Sequence, residues 1–338
     1  MPATAFDKNS FRAWKSLLWP VVGLMLLLLF NFCFTPGFFK LEVRDGHLYG
    51  VLIDILNHGS KVMLLALGMS LVIATSGVDL SVGAVMAIAG AVAAQLINKA
   101  GVPFPVVIGA AVGVAIFAGC WNGLLVSVFR IQPIVATLIL MVAGRGVAML
   151  ITDGQIITFT DPKLVFVGNG HLLGLPFPVW LSLGLLLLTI GLTRGTAIGL
   201  FIESVGDNQT ASTYAGVNSA TVKFLVYVFS GFCAGLAGLV AASNIKCADS
   251  NHAGLFLELD AILAVVVGGT SLAGGRFYLD GAIVGALFIQ TLTTTMYMRN
   301  VSADVAPVPK ALAILVVCLL QSPALRNKVT GLMKRRAA

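Results

Sequence analysis

Ionisable side chains are scarce in this sequence, and where they fall is informative. Asp79 sits near the middle of "LVIATSGVDLSVGAVMAIAGA" (71–91), an otherwise apolar run. In lipid a charged side chain at the centre of a helix costs roughly 2.5–3.5 kcal/mol on insertion scales, so its chemistry is the first question. As a proton carrier, Asp79 would pair with a second intramembrane ionisable group. The nearest candidates, Arg145 and Asp260, fall closer to the outer side in the topology below. As a ligand, it would accept hydrogen bonds from solute hydroxyls. As a hinge, it would cap a helix starting at Leu80, its oxygens meeting the N–H of Ser81 or Val82. Gly77 would then supply the backbone angles that break the preceding helix. A helix N-terminus favours negative charge and lowers the cost of burial, which favours the hinge. A broken helix at depth must border protein or water.

Other polar residues inside apolar segments raise the same choice. Asn122, Thr137, Gln290 and the "TLTTT" run (291–295) either line an aqueous path or hydrogen-bond helix to helix. Arg145 is expected to snorkel outward or to pair with Asp153. Glu258 and Asp260 are expected to cap the helix that follows them, or to face a docked protein.

No catalytic constellation is expected. The four histidines (His47, His58, His171, His252) fall in or near outward loops and read as solvated surface. Cys33, Cys120, Cys233, Cys247 and Cys318 have no metal-ligand spacing and read as small packing residues. "GGTSLAGGR" (268–276) is Gly-rich but lacks the lysine and following hydroxyl of a phosphate-binding loop. No metal site and no cofactor bound by this chain are expected.

These residues must be positioned by helices in lipid. The 338-residue chain is 58% apolar and only 10% charged, with a mean hydropathy of +0.98, which points to an all-α polytopic membrane protein rather than a soluble one. A bilayer core of about 30 Å needs roughly 20 helical residues. On that ruler, helices are expected near 17–35, 59–75, 80–97, 104–128, 132–152, 176–193, 219–244, 259–273, 280–297 and 307–321. Residues 36–58, 153–175, 245–258 and 298–306 then face outward, and 129–131, 194–218 and 274–279 face inward.

The net charge of +7 concentrates at the ends, with Lys8, Arg12 and Lys15 in a tail at 1–16 and Arg326, Lys328, Lys334, Arg335 and Arg336 in a tail at 322–338. The positive-inside bias places both termini in the cytoplasm. These clusters flank apolar spans with no interleaved aromatics, which argues against a nucleic-acid partner. The whole of 1–338 reads as one transmembrane domain. Gly109/Gly113, Gly119/Gly123, Gly231/Gly235 and Gly281/Gly285 have the spacing for close helix packing within a bundle. "VDLSVGAVMAIAGA" (78–91) and "LELDAILAVVVGG" (257–269) each set an Asp before an Ala/Val/Gly-rich helix, as an inverted repeat or as chance similarity of apolar segments.

The connection "RGTAIGLFIESVGDNQTASTYAGVN" (194–218) is amphipathic. Asp207 or Asn208 could cap a short helix ending at Gly216, and Ala211, Tyr214, Ala215 and Gly216 recur at helical spacing. A small-residue face suits docking into a partner's groove.

"TSGVDLSVGAVMAIAGAVAA" (75–94), "GCWNGLLV" (119–126), "QPIVATL" (132–138), "GDNQTASTYAGVN" (206–218) and "ELDAILAVVVGGTSLAGGR" (258–276) together resemble the permeases of ribose/xylose/arabinose-class ABC sugar importers. The likeness runs from about 50 to 322, and "ADSNHAGLFLELDA" (248–261) and "DGHLYGVLIDILN" (45–57) look most like the galactofuranose members. The resemblance implies a type II importer bundle of about ten helices in the bacterial inner membrane. It implies a second permease subunit, a periplasmic sugar-binding protein and an ATP-binding cassette subunit that uses ATP and Mg. The family's ATPase-coupling helix carries over to Gly206, Asp207, Asn208, Ala211, Ala215, Gly216, Val217 and Asn218, with Tyr214 added from the helical spacing above. Gln209 and Thr210 depart from the Pro-Glu common in relatives. A pathway for a neutral monosaccharide is the expected function. The alternatives are a secondary transporter or channel that titrates Asp79, and an ABC permease for a non-sugar solute.

Overall fold

In a computed structural model, residues 4–321 are described, apart from 45, 100, 303, 304 and 306. Helices α1 (Thr4–Phe34), α2 (Val51–Ala74), α3 (Val82–Ile97), α4 (Phe104–Ser127) and α5 (Pro133–Ile151) come first. After them come α6 (Pro162–Asn169), α7 (Phe177–Arg194), α8 (Ile198–Asp207) and α9 (Gln209–Tyr214). The chain continues through α10 (Ser219–Ile245), α11 (Leu257–Val267), α12 (Leu279–Met298) and α13 (Pro307–Gln321). Three small antiparallel ladders complete it: β1 (Glu42–Arg44) with β2 (His47–Tyr49), β3 (Ile157–Thr158) with β6 (Cys247–Ala248), and β4 (His171–Leu172) with β5 (Leu175–Pro176).

Every one of the ten expected segments contains a helix. Among the described residues, seven are long and apolar enough to cross a membrane: α2, α4, α5, α7, α10, α12 and the Leu17–Phe34 part of α1. The other three, α3, α11 and α13, have 16, 11 and 15 residues. Two boundaries move appreciably. α2 starts at Val51 rather than 59, so part of the expected outward loop is helix. α11 stops at Val267 rather than 273, because Gly268 and Gly269 follow it and Gly269 takes a left-handed φ of 93°. Helix α1 continues through most of the expected 1–16 tail; the basic tail at 322–338, and with it Cys318's side chain, lies outside what is described.

With no water available, backbone polar groups in lipid must be satisfied within helices, and these helices then sort by burial. The spanning part of α2 is 78% buried and that of α10 61%, against 11% for α1 and 22% for α5. Thus α2 and α10 form the axis, and α1, α4, α5 and α7 show apolar faces such as Leu29, Phe117, Val142 and Leu187 outward. Close approach rests on small residues. Any Cβ on Gly119 or Gly231 would run into the facing backbone of α10 or α4, and one on Gly281 or Gly285 into α11 or the turn after it. Gly109 and Gly113 differ: nothing lies near them, so this pair does not pack inside the bundle.

The packing is reciprocal. α2 lies on α11 and α12, while α10 lies on α3 and α4. The starts of α3 and α11 meet, since Gly83 abuts the carbonyl of Gly254 and the Glu258 carboxylate. From there the two run to opposite ends. Asn98 after α3 donates to the Thr158 carbonyl at 2.9 Å in the β3 region, and the turn after α11 reaches Ala74 through the Gly275 N–H at 3.0 Å. The β ladders all gather at the first of these ends, where the Leu48 N–H also reaches the Gly174 carbonyl at 3.1 Å. The second end holds α8.

Candidate functional site

The interruption between α2 and α3 spans residues 75–81. Ser76, not Gly77, takes the left-handed conformation, with φ of 60°. Gly77 is needed for a different reason: a Cβ there would lie 2.7 Å from the Tyr227 hydroxyl. That hydroxyl in turn donates to the Val78 carbonyl at 3.3 Å. Asp79 is 2% exposed. Its Oδ1 accepts the Ser81 N–H at 3.0 Å and the Ser81 hydroxyl at 2.6 Å. Its Oδ2 accepts the Ser230 hydroxyl from α10 at 2.8 Å. Asn122 of α4 donates to the Ser81 hydroxyl at 2.8 Å and reaches Asp79 Oδ1 at 3.5 Å. The helix proper begins at Val82, with Ser81 rather than Asp79 at the cap position. Among the described residues, all these donors are neutral. A carboxylate can accept about four hydrogen bonds, and here three helices supply them.

Thr137 is fully buried and donates within its own helix to the Pro133 carbonyl at 2.9 Å, with Val78 at 3.4 Å. Gln290 reaches Thr294 at 3.4 Å, and its stem lies against Gly59. Within the "TLTTT" run, Thr291, Thr293 and Thr295 donate to carbonyls one turn back.

The start of α11 is built differently. Phe256 occupies the cap position at φ of 63°, and no side chain caps the helix, so neither Glu258 nor Asp260 does so. Glu258 is buried against Gly83. Asp260 forms a two-point ion pair with Lys310 of α13 at 3.0 and 2.9 Å, with side chains 15% and 16% exposed. Arg145 of α5 does not reach Asp153; its Nη1 donates to the carbonyls of Ser250 and Ala253 at 3.0 and 2.6 Å. Lys310 and Lys61 were both missed by sequence reasoning. The available signal was a lysine inside an apolar segment, the same signal that singled out Asp79.

At the opposite end, residues 194–218 form two helices rather than one. Asn208 ends α8 and caps α9, its Oδ1 accepting the Ala211 N–H at 2.9 Å. Asn218 caps α10 through the Thr221 N–H at 3.1 Å. Gly216, with φ of 88°, makes the turn between them. Gly206 is pressed against the carbonyl of Ala74, where no side chain would fit. The Ser76 hydroxyl sits between the carbonyls of Gly206 at 2.9 Å and Ala273 at 2.8 Å. Hence α8 touches the end of α2 and the turn after α11 together. Arg194 fastens the same corner, donating to Glu203 at 3.2 Å and to the Phe277 carbonyl at 3.1 Å. Gln209 accepts from Lys223 at 2.7 Å. Asp207, Ala211, Ala215 and Gly216 are exposed and Val217 is half-buried, while Tyr214 projects with 87% of its surface free. Of the predicted coupling residues, Gly206 packs inward against Ala74 and Val217 is half-buried, while the rest are exposed.

His58 and His252 are exposed, as expected, whereas His47 and His171 are half-buried. His58 lies within α2, and His47 and His171 stack at 4.6 Å between ring centres. Burial, then the neighbouring His47, pushes the His171 imidazole below its ordinary value of 6.5.

Residues 51–321 match the family model described as branched-chain amino acid transport system / permease component. The chain is 50% identical over 335 residues to the galactofuranose transporter permease protein YtfT of Escherichia coli (strain K12), covering 99% of this chain and 98% of that one. It is 41% identical to the fructose import permease protein FruF of Bifidobacterium longum (strain NCC 2705), covering 96% and 92%. Identity to the ribose import permease protein RbsC of Escherichia coli (strain K12) is 35%, covering 92% and 95%. No solved structure matches. With a family match across most of its length and, among the described residues, seven helices long and apolar enough to cross a membrane, this chain is a multi-pass membrane protein and belongs to the permease-component family of ABC importers.

Proposed function

We propose that this chain forms the translocation pathway of an ATP-driven importer for a neutral monosaccharide, of the galactofuranose, pentose or hexose kind. The carrying observation is the 50% identity to a galactofuranose permease over nearly the full length of both chains. Sugar names recur in the fructose, ribose and arabinose relatives, which favours a sugar over the amino acid in the family's description. A monosaccharide cannot cross lipid unaided, because each hydroxyl would lose its hydrogen bonds.

In this reading the ladder end faces the periplasm and receives sugar from a binding protein, and both termini are cytoplasmic. The ridge of Ala211, Tyr214, Ala215 and Gly216 docks into an ATP-binding cassette subunit, which carries the ATP and Mg chemistry. A second permease, a paralogue or another copy, completes the pathway. A push on α8 reaches α2 and the turn after α11 through Gly206 and Ser76. Asp79 serves as the joint of the break rather than as a titrating group.

The test is reconstitution. Vesicles holding this chain with its ATPase, partner permease and binding protein should accumulate a labelled sugar from a panel when given ATP. Vesicles holding this chain alone should accumulate none. Uphill uptake by the chain alone would overturn the reading.

A further inference from the structure

A cavity of about 220 Å³ lies near the ladder end, between α2, α3, α10 and the 246–257 connection. Its walls include Lys61, Met86, Ala87, Asp249, His252 and Leu255. Lys61 enters from α2, the most buried of the spanning helices. Among the described residues it makes no hydrogen bond and no ion pair. Lys61 is half-buried, and an ammonium even partly withdrawn from water without a partner is costly. A lysine on a lipid-facing helix relieves that cost by snorkelling, but this one lines a cavity inside the bundle. Asp249 belongs to another wall. Its Oδ2 pairs with His252 Nδ1 at 2.8 Å, and its Oδ1 accepts the N–H groups of Asn251 and His252 at 3.0 and 3.2 Å. Met86, Ala87 and Leu255 leave the remaining surface apolar.

We propose that this cavity is a docking site for a single sugar ring, with Lys61 donating to hydroxyl or ring oxygens and Asp249 accepting from a hydroxyl. The proposal rests on the sugar-import reading above and adds a place, inside one subunit, where cargo is held. A donor on one wall and an acceptor on another suit hydroxyls, which both give and accept. An anion would satisfy Lys61 but face the Asp249 carboxylate. The apolar patches suit the C–H faces of a ring. A volume of about 220 Å³ falls below the roughly 300–1,000 Å³ of drug-sized pockets, which fits one ring rather than two.

The test measures equilibrium binding of radiolabelled D-ribose, D-fructose and D-galactose to the assembled transporter in nanodiscs without binding protein, and uptake of the same sugars by the complete system. Wild type should bind at least one sugar saturably. Lys61→Met should weaken that binding about tenfold or more, the loss of one charge-assisted hydrogen bond. Lys61→Arg, which keeps a donor, should stay nearer wild type, and Lys61→Gln replaces the Met variant if that one fails to assemble. Unchanged binding in Lys61→Met, or sugar uptake with no saturable binding by wild type, overturns the docking site and leaves the import reading standing. Saturable binding lost in Lys61→Met, with no uptake of any panel sugar, keeps the site and overturns the import reading instead.

Discussion

At the start of α3, one carboxylate gathers hydroxyl, amide and backbone donors from α3, α4 and α10, all neutral. At the start of α11 no side chain caps the helix. Charge does the fastening there instead, through Asp260–Lys310 and through the Arg145 guanidinium on the carbonyls of Ser250 and Ala253. The same problem, a helix that starts inside a bundle, has thus been met in two ways. Hydrogen bonds weaken steeply when their angles change, whereas Coulomb attraction falls only as the inverse of distance. The first junction is therefore built to hold one geometry, and the second can shift and remain paired. If the bundle rocks during transport, α11 is the side expected to move.

The largest effect is expected at the first junction. Asp79→Ala leaves the donors of Ser81 and Ser230 without acceptors, at about 1–3 kcal/mol each. Thermal stability in detergent should fall by on the order of 4 kcal/mol, with severalfold less folded protein in the membrane. Asp79→Asn keeps Oδ1 for Ser81, and the Ser230 hydroxyl can turn to accept from the new amide. Uptake within about twofold of wild type is expected, since these hydrogen bonds to Ser81 and Ser230 are then kept. Normal insertion with all uptake lost would break the comparison and make Asp79 a titrating group. The next effect belongs to the second junction. Removing one member of a buried ion pair costs about 3–5 kcal/mol. The slight exposure of both side chains, 16% and 15%, places Lys310→Met near the lower end. Adding Asp260→Leu should restore much of the stability, because no uncompensated charge then remains. No rescue in the double variant would mean that Asp260 has another partner.

The smallest effect concerns Asp249. Burial pushes its carboxyl up, but the hydrogen bonds from the His252 ring and from the N–H groups of His252 and Asn251 hold it below 3.8. A depressed native pKa gives stability that is fully present above pH 3.8 and is lost as pH falls through the native value. His252 is well exposed, 77%, so a melting series from pH 6 to pH 3 should lose only about 0.2–1 kcal/mol from this pair. His252→Ala should flatten that part of the curve.

Much of this was legible locally. Asp79 and Ser81 lie two residues apart, so an aspartate–serine turn is written in the sequence itself. All ten apolar segments were visible because hydropathy is a property of neighbours along the chain. What was not legible depended on distant contacts. Gly77 matters through Tyr227 and Gly206 through Ala74, neither near in sequence. Asp260 finds Lys310 across 50 residues. The start of α2 was set eight residues late because Asp54 and His58 lower the hydropathy of its first turns, although those turns are helical. Lys61 was overlooked for the opposite reason: it lay inside a segment already accepted as apolar.

One hydrogen bond bears on how the protein is made. The Asn31 amide in α1 donates to the Thr295 hydroxyl in α12 at 2.8 Å, across 264 residues. At about 5–20 residues per second, roughly 13–50 s of translation separate the two partners. Until then the amide has only the Leu27 carbonyl and Thr35 beside it on the same helix. Helix α1 must therefore wait, half satisfied, for a late-arriving neighbour. During that interval an insertase or a neighbouring polar side chain could shelter it.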